Sequence, residues 1–164
     1  SLKGALSHRV AFHYNLKKEK FADFLEEPEI EENCGENNTA VQRLFGFQDE
    51  DKQRRGCVIF DDILSDVPKK EKILNHVKID RFTGGAMDGA LFSEKVTDGK
   101  GLSFATTITI VDDGQEKDKE YNDCISAFED ALKDIDNGTL PRGGGSGRGH
   151  GIFKCEIKKN EEKL

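Results

Sequence analysis

The run Arg142-Gly143-Gly144-Gly145-Ser146-Gly147-Arg148-Gly149-His150-Gly151 constrains this chain more than any other segment. Six of its ten residues are glycine, and each loses more backbone freedom on folding than any other residue type. Its flanks set what such a run does. Before it, Tyr121, Cys124, Ile125, Phe128, Ala131, Leu132 and Ile135 form one face of a helix over about 118–136. Asn137-Gly138 supplies a left-handed stop, and Pro141 follows. After it, Phe153, Cys155 and Ile157 alternate with Lys154, Glu156 and Lys158, which predicts a final strand. A loop tied at both ends is expected to hold a shape. The backbone amides of Gly143, Gly144, Gly145, Ser146, Gly147, Gly149 and Gly151 can then approach a phosphate closely, and Arg148 adds a bidentate fork. The run is no Walker loop, since GxxxxGK[ST] is absent, and it lies in the wrong place for a dinucleotide fingerprint. A flexible linker and a disordered RGG-type RNA binder remain the alternatives.

The remaining pattern places this loop in an α+β chain. Ser1 is positioned to cap a helix carrying Leu2, Ala5, Leu6 and Val10, expected to run to about Phe24 or Leu25. Residues 29–40 read as a polar loop, and Leu44-Phe45-Gly46-Phe47 as an apolar anchor. Cys57–Phe60 reads as a buried strand, 77–97 as a protruding hairpin or arm, and 102–111 as an alternating strand. Helix, strand, arm, strand, helix, glycine loop, strand is the βαββαβ order of a ferredoxin-like or RNA-recognition-motif-like fold without its first strand. One domain over 1–159 with a charged tail at 160–164 is expected, as a fragment or one repeat of a longer chain.

Net charge is −7, from 25 Lys and Arg against 32 Asp and Glu. Taken whole, that opposes indiscriminate nucleic-acid binding. The charge is unevenly spread. Residues 1–20 hold Lys3, Arg9, Lys17, Lys18 and Lys20 against Glu19 alone, and 142–159 are basic and glycine-rich. Residues 21–36 and 112–136 are acidic. The bases therefore concentrate at the helix start and the final loop. Cys34, Cys57, Cys124 and Cys155 make no zinc-finger spacing and read as reduced, buried small hydrophobes of a reducing cytoplasm. Four His lack a nucleophile motif nearby, and Asp61-Asp62 and Asp112-Asp113 read as solvated strand-end acids, not metal ligands. No run is long and apolar enough for a membrane span.

Two further segments carry binding chemistry. Ser1, Lys3 and Gly4 open a helix whose free amides suit an anion. Arg81, Phe82, Thr83 and Gly84 sit at the expected arm, where Arg81 meets phosphate and Phe82 stacks on bases, or where Phe82 is simply buried under a turn.

Together these segments resemble the RAMP superfamily of CRISPR-associated proteins. Ser1-Leu2-Lys3-Gly4-Ala5-Leu6 resembles that family's "SLKGxLR" helix start, and Leu44-Phe45-Gly46 its "LFG". Ile79-Asp80-Arg81-Phe82-Thr83-Gly84-Gly85-Ala86 through Leu91-Phe92-Ser93-Glu94 is similar to "IDRxTGxA…LFxxE", and 143–151 to the "GGxxxxGxG" loop. Within the superfamily the resemblance is to the backbone subunits of type III effectors, which polymerise along guide RNA.

The resemblance implies a prokaryotic, cytoplasmic, guide-RNA (crRNA)-binding protein of antiviral defence. Its partners would be guide RNA, target RNA and other RAMP subunits or domains, with no membrane. The helix start and the glycine loop would hold guide backbone, Arg9 would stand near the family's basic position, displaced because Ser7-His8 precede it, and the arm would interrupt the guide–target duplex. An Asp upstream of the helix start would cut target RNA with a divalent metal such as Mg²⁺. That position lies before residue 1, so no catalytic residue, metal ligand or cofactor is assigned to this chain. The alternative is a non-catalytic protein-interaction module with a flexible glycine loop.

Overall fold

The computed structural model describes residues 1–49, 51–63, 70–99, 102–111 and 117–160. Ser1 caps the first helix as expected: its Oγ accepts the Gly4 amide at 3.1 Å, and α1 spans Leu2–Lys17. Leu6, Val10 and Tyr14, one turn apart, are buried. They join Cys124, Ala127, Phe128, Ala131 and Ile135 of the long helix Lys119–Asp136 (α4 below) in one core. Each such large apolar side chain contributes about 1.5–3 kcal/mol when fully buried.

Helix α1 stops well short of Phe24. Glu19 takes a left-handed φ of 55°, and the Lys18 and Lys20 amides turn back to Asn15. The apolar spacing fails after Tyr14, since Leu16 is 46 % exposed. Residues 29–40 are likewise not a plain loop. Glu27–Asn33 forms α2, with the Glu26 amide donating to Glu29 Oε2 at 3.2 Å and Pro28 in the first turn. Thr39–Phe45 forms α3. Its cap, Asn38, is completely buried and fully employed. Its Oδ1 accepts the Ala40 amide, and its Nδ2 donates to Asn15 Oδ1 and the Asn33 carbonyl.

Gly46–Gln48 (β1) and Gln53–Arg55 (β2) make a short hairpin that the sequence pattern did not indicate. Val58–Phe60 (β3) is the expected strand, closed by exposed Asp61 and Asp62. The chain divides into two units, Ser1–Phe60 with Ile108–Leu164, and Asp61–Thr107. The second unit is built on the hairpin of Glu71–Ile79 (β4) and Ala86–Thr97 (β5), antiparallel with an irregularity between Val77 and Ile79. The expected arm is therefore a hairpin, and it starts earlier than 77.

Two expected strands are shortened or absent. Over 102–111 only Ile108–Ile110 (β6) joins a ladder, because its antiparallel partner β3 is itself three residues long. After the glycine loop, Phe153 and Cys155 are half-buried while Lys154 and Glu156 are exposed, but Ile157 is 48 % exposed, so the alternation ends at Cys155. No ladder forms there among the described residues. Lys159 instead bonds Glu129 of α4 (Lys119–Asp136) at 2.8 Å. Asp112, Asp113 and the tail beyond 160 lie outside the described residues.

Candidate nucleic-acid interface

The glycine loop is closed and hydrogen-bonded. The Arg142 amide donates to the Gly151 carbonyl at 3.0 Å, which ties its neck. Inside, Ser146–Arg148 makes one 3₁₀ turn, and the His150 amide returns to the Gly145 carbonyl at 3.1 Å. These bonds give the loop a defined closed shape, as expected of a loop tied at both ends.

The six glycines divide by the reason for their presence. A Cβ on Gly151 would run into the Arg142 backbone, and one on Gly145 into the His150 ring. Gly143 and Gly149 have φ of 93° and 80°, where side chains are strained. Gly144 and Gly147 have neither reason: their φ is ordinary and a Cβ would meet nothing among the described residues. Both are exposed. Nothing among the described residues requires glycine there.

Arg142 adds an independent sign. Its Nε is buried with no hydrogen-bond partner, and burial lowers the guanidinium's pKa. The group lies over the Phe153 ring at 5.7 Å. A guanidinium stays charged in proteins, and no described residue supplies an acceptor to its buried Nε–H. Arg142 was not among the residues singled out from the sequence. Its place at the boundary of the glycine run was the available signal.

The helix start behaves differently. A Cβ on Gly4 would sit 3.2 Å from the exposed Ser1 cap oxygen, a contact that a small shift of that side chain relieves. Lys3 is exposed and makes no ion pair among the described residues. Arg9 is taken up inside the fold: with His13 it shares Asp134 Oδ2, the His13 Nε2 at 2.7 Å, and it covers the Phe12 ring. Lys17 bonds Asp130 at 2.7 Å and Lys18 bonds Asp123 at 2.6 Å. The basic residues of α1 thus face the acidic residues of α4, and most of that positive charge is neutralised within the chain.

In the second unit, Asp80 shapes the hairpin tip. Its Oδ1 accepts the Phe82 and Thr83 amides at 2.7 and 2.9 Å, which holds its carboxyl below the ordinary range. Gly84 takes φ of 70° to close the turn. Phe82 is 99 % exposed, so it is not a buried turn residue, and Arg81 is exposed beside it.

The sequence model of the RAMP superfamily matches residues 1–154. The chain belongs to the RAMP superfamily. Proteins of this superfamily are CRISPR-associated, bind RNA and act in multisubunit complexes. No curated protein matches the chain in a sequence comparison.

In this RAMP chain no three His, Cys, Asp or Glu side chains gather as a metal requires, among the described residues. No helix among the described residues is long and apolar enough to cross a membrane. All four cysteines are free. Burial pushes the Cys124 thiol up to about 12, as expected for an inert small hydrophobe, and Cys57 is also buried. Cys34 departs from that expectation: it is exposed, because it caps a polar 3₁₀ turn instead of facing the core.

Proposed function

We propose that the chain is a guide-RNA-binding RAMP subunit or domain of a type III CRISPR effector, with the glycine loop as its main grip on the RNA backbone. The observation that supports this most is the pair Gly144 and Gly147, glycines without a structural reason, next to the desolvated guanidinium of Arg142. A phosphate in the loop would receive backbone amides and that guanidinium together, and would relieve both. The type III assignment rests on the motifs at 1–6, 44–46, 79–94 and 143–151 read in register. A ferredoxin-like arrangement is part of the same reading, with β3 and β6 as two of its strands. In it, the exposed Arg81 and Phe82 at the hairpin tip interrupt a guide–target duplex.

The test is binding of single-stranded RNA by fluorescence anisotropy across a salt series. Affinity should fall steeply with salt and depend little on sequence. Arg142→Ala and Arg148→Ala should each weaken it with the circular dichroism spectrum retained. Full affinity in both variants at moderate salt would remove the loop from the interface. On a long RNA, regularly spaced nuclease-protected segments are expected of a backbone subunit, and a single protected patch would count against that role.

A further inference from the structure

Helix α2 is held to the first unit without being packed into it. It is seven residues long and has no buried residue, and from 19 to 37 no described side chain is buried. A helix that short has little stability of its own and ordinarily draws it from an apolar face on the core. Here polar bonds replace that face. The Asn33 carbonyl accepts Asn15 Nδ2 and Asn38 Nδ2, both at 2.9 Å, and Asn37 Nδ2 donates to the Glu31 carbonyl at 3.1 Å. They fix the C-terminal end of α2 and leave its outer surface uncovered.

The uncovered surface combines aromatic rings with carboxylates. Phe24 is 82 % exposed and Phe21 41 %, and their rings meet edge to face at 6.3 Å. Neither has a further ring or cation partner among the described residues. The same stretch, residues 21–36, carries seven carboxylates and no base. All seven are exposed, and none makes an ion pair among the described residues. The neighbouring Lys20 is taken by the Asn33 amide oxygen at 2.7 Å. Seven acids equal the net charge of the whole chain, −7, so the remaining residues balance acid against base. The acids of α4 differ: Asp123, Asp130 and Asp134 each face a cation of α1 or its C-cap.

Exposed phenyl rings beside carboxylates suit a partner that brings flat, weakly hydrated cations. A guanidinium answers both features, since it stacks on a phenyl face and forks onto a carboxylate. We infer that Phe21, Phe24 and the acidic face of α2 form a docking surface for an arginine-rich segment of another protein. Phosphate-bearing ligands, RNA included, are repelled there. No three of these carboxylates gather as a metal requires, so their charge is spread for a surface and not collected for an ion. A second copy of the chain is a poorer complement. Its α1 bases are taken by α4, and those of 142–159 are given to RNA in the reading above, on which this choice of a different protein rests. Opposite charge then keeps two binding functions apart on one subunit: RNA is turned away where the basic partner docks.

Three short labelled peptides are titrated into the full chain and followed by fluorescence anisotropy: alternating arginine and alanine, alternating lysine and alanine, and alternating glutamate and alanine. The arginine peptide should bind, more weakly as salt rises. The lysine peptide should bind severalfold more weakly, and the glutamate peptide not at all. Phe24→Ala should weaken the arginine peptide severalfold and erase its advantage over lysine, as loss of a stacking face does. Glu27→Gln, Glu31→Gln and Glu32→Gln together should weaken it further and flatten its salt dependence. Asp61→Asn, Asp62→Asn and Asp88→Asn remove the same charge from exposed positions of the second unit and should change little. Equal weakening by both triple variants would show that overall charge alone holds the peptide, and would overturn the site. Binding indifferent to Phe24→Ala would overturn the arginine chemistry. Salt-sensitive self-association in sedimentation, lost in the Glu triple variant, would overturn the foreign partner in favour of a second copy. RNA affinity that falls in the Glu triple variant would overturn the separation of the two functions. Every substituted residue is exposed, so circular dichroism should be retained throughout. Peptide binding is read without RNA, so it stands or falls apart from the glycine loop.

Discussion

Helix α1 with its C-cap and the glycine loop carry the same kind of positive charge in the sequence and use it in opposite ways. Arg9, Lys17 and Lys18 each find a carboxylate of α4, at Asp134, Asp130 and Asp123. Arg142 finds none among the described residues, and its Nε is buried without a partner. The first set makes a helix–helix seam. The second leaves a cation whose desolvation the fold itself does not offset. Local charge counted along a chain does not separate these cases. Whether an opposite charge faces the group across space does.

The largest test of that contrast is at the neck of the loop. Gly151→Ala should destabilise the protein by roughly 2–4 kcal/mol, since an added Cβ overlaps the Arg142 backbone at a left-handed φ. Thermal unfolding measures this, and an unchanged midpoint would mean the loop is not closed as described. Next is the seam. Asp134→Ala leaves Arg9 and His13 without their shared acceptor and should cost about 1–3 kcal/mol of stability. RNA affinity should change little, because Arg9 is occupied in the fold.

Arg142→Ala should show the reverse: about tenfold weaker RNA binding, and little loss of stability. The smallest effect is the most specific. Gly147→Ala meets no steric neighbour among the described residues and should stabilise the fold by about 0.4–1 kcal/mol through the unfolded chain. The same change should weaken RNA binding severalfold. If Gly147→Ala leaves RNA binding intact, glycine is not there for a ligand.

Acid should break the seam selectively. Hydrogen bonds from Lys18 hold Asp123, and from Lys17 and Lys133 hold Asp130, below the ordinary carboxylate range. Burial alone would raise Asp134, but Arg9 and His13 outweigh it and its pKa is lowered too. These groups bind fewer protons folded than unfolded near pH 4. Their contribution is therefore complete above the ordinary carboxylate pKa of about 4 and is lost as pH falls through the lowered values. Urea midpoints measured from pH 6 downward should drop in wild type. The drop should be smaller in Asp134→Ala, which has already lost one of the three.

Much of the fold was legible because its signals are local. The α4 face Cys124, Phe128, Ala131 and Ile135 recurs at helical spacing, and all four are buried. Ser1 and Asp80 sit where short polar side chains close a helix start and a turn, and both do so. Helix α2 was not legible because it shows no apolar periodicity, and α3 because its apolar face of Ala40, Val41 and Leu44 spans only seven residues. Their signals were caps: Glu26 with Pro28 and Glu29, and the buried Asn38. The β1–β2 hairpin escaped because its reason is a close crossing of Gly46 and Gly56, a distance in space and not a pattern in sequence.

By itself the sequence determined the capped start of α1, the helix α4, the strand at 58–60, a hairpin over 77–97 and a glycine loop after α4. Each depends on neighbours within a few residues. Only the tertiary structure decided which charges cancel and which glycines the fold needs. Those are relations between residues far apart along the chain. The energy of a charge or a bare backbone depends on what packs against it, so the amino-acid order carries that information only after the chain has folded.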